Sequence, residues 1–397
     1  MKNRIHYGEF TLDYWVEQII SGDIELPDYQ RSFVWQKEQI KRFIRAIKND
    51  DFIPPITIGR LNDKNIIIDG QQRLTSILLA HLNVLPSKRK LKRINQAIDC
   101  IDDAEDGQEN CDENCEIYYE WTFKELIRLG DTIKDIQKEL SKNENYEKLD
   151  DTAVDLTFLK KHYLGFAYII PHPDIQQNDL ERFFSTIFRS VNIEGTALLK
   201  SESRRSLYYL KKAYVPLFDP NFIHSIEIKS FGYSYPLDFL RQLAIMFDYA
   251  KTNNSANVMK GYKLKSELYY EIFISDTVNP RKASGIFKKL NDIISDNNIE
   301  ERMSLFQHEF QKLSIPKELN SIIDADIYMF GLINWTLIGG KSLDENKLDS
   351  LKENIRSTIT MLKEDESHKR SPSALKHLRK RIDLSVEIFK ENLNNNA

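Results

Sequence analysis

Three cysteines in 397 residues are too few, and odd in number, for a disulfide framework; they fit a reducing compartment. No window approaches the roughly eighteen uninterrupted apolar residues of a membrane span, and the opening Met1-Lys2-Asn3-Arg4-Ile5-His6-Tyr7 lacks the apolar run of a signal peptide. The chain is therefore expected in the cytoplasm, with no membrane partner. An excess of positive charge is missing too: the formal net charge is −4 and the pI about 6.1. Any nucleic-acid contact would come from local patches, not from a global field. No period of roughly twenty to fifty residues repeats, which argues against a solenoid. What is present, 41% hydrophobic and 29% charged residues, suits a globular protein of about two domains.

One segment stands out. The apolar run Asn65-Ile66-Ile67-Ile68 passes through Asp69-Gly70 directly into Gln71-Gln72-Arg73-Leu74-Thr75-Ser76, which reads as a strand, a turn and a helix start. Such a junction aims the free amides of the first helical turn, and the positive end of the helix dipole, beyond the sheet edge, where phosphate is the natural guest. Gly70 permits close backbone approach and Asp69 can cap the helix. Gln71, Gln72 and Arg73 bring amides and a guanidinium into the same turn. The bland alternative is an ordinary turn, with Asp69 only a cap and Arg73 paired internally with an acidic neighbour.

Around this junction the first ninety residues read as a small α/β unit. Helices are expected over 9–20 and 37–49, an extended piece over 24–31, strands over 56–60 and 65–68, and a helix over 75–85. Residues 86–115 form a charged, cysteine-bearing insertion, 117–123 a strand, and 130–150 a solvated helix or hinge. Helical periodicity then dominates over 156–164, 180–191, 199–213, 237–250, 322–338, 348–362 and 374–393. The organisation expected is α+β: residues 1–125 as an α/β domain with its insertion near 86–115, and 126–397 as a mainly helical domain.

The ordered boxes Leu26-Pro27-Asp28-Tyr29-Gln30-Arg31-Ser32-Phe33-Val34-Trp35, Ile53-Pro54-Pro55-Ile56 and Ile68-Asp69-Gly70-Gln71-Gln72-Arg73-Leu74-Thr75 resemble the N-terminal domain of GmrSD-type restriction endonucleases. Phe188-Arg189-Ser190-Val191-Asn192-Ile193-Glu194-Gly195 is similar to that family's downstream Asn-x-x-Gly turn. The resemblance covers roughly residues 10–200. It implies a ParB/sulfiredoxin-like fold, with nucleotide binding and hydrolysis in prokaryotic defence against foreign or modified DNA. Sulfiredoxin chemistry itself is not expected, because Gln71 stands where those enzymes carry a reactive cysteine.

On this reading Asp69, Gln71, Gln72 and Arg73 are the candidate catalytic residues, and Gln30, Arg31, Gly70 and Arg73 bind the nucleotide. An NTP with Mg2+ is the expected ligand. Arg73 and Arg31 would clamp phosphate, Gln71 or Gln72 orient the attacking water, and Asp69 hold metal or water. No resident metal site is expected. Cys100, Cys111, Cys115 and His81 lack the second close ligand pair of a zinc site, and Asp102–Gly107 lacks the spacing and glutamate of a calcium loop. Trp35 is read as packing. The histidines His162, His172, His224, His308, His368 and His377 show no ββα-metal arrangement, so a separate nuclease subunit is the expected partner. Lys376, Arg379, Lys380 and Arg381 are the candidate DNA contacts. The competing class is a nucleotide-gated DNA sensor or adaptor without enzymatic activity.

Overall fold

The computed structural model describes residues 3–27, 29–30, 32–61, 64–87, 91–95, 115–119, 121–149, 152–172, 175, 177–193, 200–230, 233–262, 265–279, 284–294 and 298–394. Arg31, Cys100, Cys111, Asp102–Gly107 and the Glu194-Gly195 end of the Asn-x-x-Gly box lie outside these residues. Contacts divide the chain into two compact units: the first comprises the residues up to Ile94 together with Cys115–Leu210, and the second includes everything from Lys211 on.

The first unit opens with strand β1 (Arg4–Thr11), helix α1 (Leu12–Ile20) and strand β2 (Ile24–Glu25). Helix α2 (Lys37–Lys48), strands β3 (Ile56–Leu61) and β4 (Lys64–Asp69), and helix α3 (Gln71–Leu82) follow. Short strands β5 (Val84–Pro86), β6 (Leu91–Asn95), β7 (Cys115–Tyr119) and β8 (Tyr146–Lys148) lead to β9 (Tyr163–Ile170). The main sheet has the order β1-β9-β3-β4-β2. Its β1/β9 and β3/β4 pairs are antiparallel, and its β9/β3 and β4/β2 pairs parallel.

Two expectations change here. The helix predicted over 9–20 begins only at Leu12, because Phe10 and Thr11 pair with Leu164 and Tyr163; Thr11 then caps the helix by accepting from the Tyr14 amide at 3.2 Å. The helix predicted over 156–164 stops at Lys161, and the chain continues as β9 between β1 and β3. A domain ending at residue 125 would leave out a strand that bonds two others, so the first unit runs to Leu210.

Helix α2 has the stripe its sequence predicts: Ile40, Phe43, Ile44 and Ile47 are buried and the charged positions face out. Helix α3 differs, being buried on almost every side, with Leu74, Ile77, Leu78, Leu79 and Ala80 inaccessible. At about 1.5–3 kcal/mol for each large apolar side chain buried, α3 is the central beam of this core. It therefore holds its N-terminal turn in a fixed place. On β3 and β4 lies the helix Gln177–Ile193. Gly59 makes that approach possible, since a Cβ there would stand 2.3 Å from Phe184.

The second unit is mainly helical, with the small sheet Tyr233–Pro236, Glu227–Ser230 and Glu318–Leu319 at one side. The helix Ile322–Leu332 packs on Leu375–Lys390 and continues as a π-helical turn over Ile333–Ile338. Among the described residues, no helix is long and apolar enough to cross a membrane.

Candidate functional site

The junction predicted between β4 and α3 forms as a sharp corner. Gly70 is the N-cap, with φ 93° and ψ 11°. An L side chain there would be strained by the left-handed backbone, and its Cβ would stand 2.5 Å from Ile56 and 3.0 Å from the Arg73 guanidinium. The first intrahelical bond runs from the Leu74 amide to the Gly70 carbonyl at 3.0 Å, so the amides of Gln71, Gln72 and Arg73 form the opening turn.

The cap that the sequence offers at Asp69 does not form: the N-cap is Gly70, with no side-chain cap bond to the helix, and Asp69 is turned to another use. Its Oδ2 instead accepts from Arg73 Nη2 at 2.7 Å. The bland reading of Arg73 as an internally paired residue thus describes the geometry. Pairing leaves the Asp69 side chain 34% accessible and the Arg73 side chain 13% accessible. Arg73 Nη2 also lies 3.5 Å from the Pro55 carbonyl. This joins the Ile53–Ile56 box to the Asp69–Arg73 box at one corner of the sheet.

The two glutamines expected at the site act on backbone. Gln30 donates from Nε2 to the carbonyls of Ile67 and Ile68, each at 2.9 Å, fastening its segment to the end of β4. Gln72 accepts the Val34 amide at 2.9 Å through Oε1 and donates to the Ser32 carbonyl at 3.1 Å through Nε2. Its amide is engaged at both ends, so Gln72 is a positioning residue that ties α3 to residues 32–35. Gln71 is buried at the head of the helix. Tyr29 is a core aromatic, its ring 5.4 Å from Phe188 and 5.8 Å from Tyr209. Trp35 packs on Phe43 at 5.3 Å. Arg189 bonds the Ser203 carbonyl at 2.7 Å and the Ser206 hydroxyl at 3.0 Å, holding the helix Gln177–Ile193 to Lys200–Tyr208.

Sequence order therefore brings all four boxes into one unit: Tyr29 and Gln30 touch Phe188 and β4, and Pro55 touches Arg73. Among the described residues, no three His, Cys, Asp or Glu side chains gather as a metal-holding group. A single carboxylate such as Asp69 could give a cation one ligand, and the others would have to come from phosphate oxygens and water.

The candidate DNA contacts separate. Lys376 and Lys380 are exposed, and Lys380 lies 3.6 Å from Asp365. Arg379 is half-buried and donates to the Val258 carbonyl at 2.9 Å. Arg381 is fully buried, bonding Asp326 at 2.9 Å and His368 at 2.9 Å, so it leaves the expected patch. Arg241 meets the same carboxylate at 2.6 Å. Burial would raise the Asp326 pKa, but the two guanidiniums outweigh it and hold the group below the usual carboxylate range. The signal for this network was charge inside apolar runs, Phe239-Leu240-Arg241 and Ala325-Asp326-Ile327.

The model of the GmrSD restriction endonuclease N-terminal domain matches residues 13–209. That match stops beside the Leu210 boundary of the first unit. An uncharacterized protein of Methanocaldococcus jannaschii is 24% identical over 287 residues, covering 58% of this chain and 47% of that relative. The chain thus spans about half the length of the curated relative it matches. No solved structure matches it.

Proposed function

With residues 13–209 belonging to the GmrSD restriction endonuclease N-terminal domain family as premise, we propose that this chain binds and hydrolyses a nucleoside triphosphate at the Asp69–Arg73 corner, as a component of a prokaryotic DNA restriction or anti-phage defence system. The observation that carries the reading is the left-handed Gly70 between β4 and α3, with Asp69 and Arg73 paired across it at 2.7 Å. A phosphate entering at the helix head meets the amides of the opening turn and the Arg73 guanidinium, which exchanges part of its bond to Asp69 for the phosphate. Asp69, freed in proportion, is the side chain that would hold Mg2+. Held there, such a metal would supply positive charge against the charge developing on the phosphate. Water orientation is assigned to Gln71, at the head of α3, while Gln72 ties α3 to residues 32–35. We read the unit as ParB/sulfiredoxin-like on the support of this strand–glycine–helix corner. DNA cleavage is assigned to a separate nuclease subunit, and DNA contact by the C-terminal helix is reduced to Lys376, Arg379 and Lys380.

One observation favours a second reading, a nucleotide-gated sensor or adaptor that binds without turnover. Gln30 and Gln72 spend amide groups on backbone, leaving a corner rich in binding groups and sparse in water-positioning ones. Phosphate release and nucleotide binding, measured for each NTP with and without Mg2+ and DNA, separate the two. The proposal expects turnover that falls by about a hundredfold or more in Arg73→Ala, with the thermal transition retained. Binding without turnover selects the adaptor, and unchanged hydrolysis in Arg73→Ala overturns the assignment.

A further inference from the structure

A cavity of about 220 Å³ lies in the second unit at the end of the helix Phe239–Thr252. Its floor is Asp248, a carboxylate only 7% exposed. Oδ2 of Asp248 accepts two hydrogen bonds, from the Met259 amide at 2.9 Å and from the Tyr269 hydroxyl at 2.8 Å. Met259 delivers its amide from a left-handed backbone, φ 53°, a conformation that costs a non-glycine residue free energy and is kept where surrounding structure demands it. Tyr269 is fully buried, and burial followed by the Asp248 charge drives its pKa well up, so it stays a phenol and donates. Oδ1 of Asp248 accepts no hydrogen bond among the described residues. Burial pushes the Asp248 pKa up even after its donors are counted, so this carboxylate gains from a further donor.

The wall and rim have a different chemistry. Tyr262, half-buried, lines the cavity with its ring centre 5.7 Å from that of Tyr269. Lys251 is pinned at the rim by the carbonyls of Gly285 and Ile286, at 2.6 and 3.0 Å, and Lys260 is exposed beside it. An acceptor at the floor, an aromatic face at the side and two cations at the mouth call for a ligand with a donor, a flat ring and an anion in that order. The volume is below the roughly 300–1,000 Å³ of pockets for larger small molecules, and suits one ring system with its charged group outside.

We propose that this cavity binds a nucleotide whose base carries an exocyclic amino group, cytidine or adenosine monophosphate, with that group on Asp248 Oδ1, the base against Tyr262 and the phosphate at Lys251 and Lys260. Guanine offers two adjacent donors that call for both carboxylate oxygens, and Oδ2 already holds two. Uracil presents a carbonyl where cytosine presents the amino group, and meets a carboxylate with like polarity. The site is separate from the Asp69–Arg73 corner and does not rest on the reading given to it.

Isothermal titration of the full chain with CMP, AMP, UMP and GMP tests this, beside Asp248→Asn and Tyr262→Ala. Wild type is expected to bind CMP or AMP at least about tenfold more tightly than UMP. In Asp248→Asn the amide oxygen keeps the Met259 and Tyr269 bonds while its NH2 turns to the cavity, so the preference inverts toward UMP. Binding at the Asp69–Arg73 corner is common to both proteins and cancels in the comparison. Tyr262→Ala, which leaves the floor intact, should weaken CMP and AMP about fivefold or more through lost stacking, and decides the matter if Asp248→Asn does not fold. Equal binding of CMP, AMP and UMP, no CMP or AMP binding, an unchanged preference in folded Asp248→Asn, or unchanged affinity in Tyr262→Ala overturns the proposal.

Discussion

His368 shows how a single side chain can set a pH dependence. It is fully buried, its Nε2 faces Arg381 Nη1 at 2.9 Å, and its ring lies 4.4 Å from that of His377. Burial first, and then the Arg381 charge, lower its pKa from 6.5 to about 3; the His377 pKa is lowered too, chiefly by burial. The folded protein thus refuses protons that the unfolded chain takes up below about 6.5, so stability is complete above that pH and declines as pH falls toward 3. The slope contributed by His368 is up to about 1.4 kcal/mol per pH unit. His368→Gln keeps an acceptor for Arg381 without the titration. Urea midpoints for this variant should fall less between pH 7 and pH 5 than those of the wild type; parallel midpoint curves would show that His368 does not titrate on unfolding. At the Asp69–Arg73 corner, the sequence exposed the Gly70 turn because a turn is local, and it left the acidic partner of Arg73 unnamed. It hid the use of Gln72, whose acceptor and donor meet the backbone at Val34 and Ser32, because hydrogen bonds across nearly forty residues leave no mark on spacing.

Elements behave differently according to what covers them. Helix α2, covered on one side, was legible from its apolar stripe; α3 was legible mainly from its start, because burial all round erases the stripe. Strand β9, Tyr163-Leu164-Gly165-Phe166-Ala167-Tyr168-Ile169-Ile170, has no alternation of apolar and polar residues. A run of that kind cannot be assigned by periodicity alone, and its first residues were absorbed into the preceding helix. The packing of the helix Gln177–Ile193 on β3 depends on the pair Gly59 and Phe184. Gly59→Ala should lower stability by about 1–3 kcal/mol through overpacking. Phe184→Leu in the same chain should make the double substitution cost less than the two singles together. Additive denaturation energies would disconnect the pair.

At the scale of the molecule, the first unit is closed by a strand that arrives only after residue 162. A fragment 1–210 should unfold cooperatively when expressed alone, whereas 1–125, which lacks the strand between β1 and β3, should not. Far-ultraviolet circular dichroism melts of the two fragments check this, and a cooperative melt of 1–125 would place the boundary at residue 125. The sequence by itself determined the family of residues 13–209, the α/β-then-helical order and the glycine corner at residue 70, since each depends on neighbours along the chain. Tertiary structure decided the rest: that β9 completes the sheet, that Asp69 pairs instead of capping, that Arg381 leaves the surface for Asp326, and that Asp248, Tyr262 and Tyr269 line one open cavity. Those outcomes depend on which distant groups share a buried space. There an unmatched charge or amide is costly, and the fold arranges partners that no local pattern records.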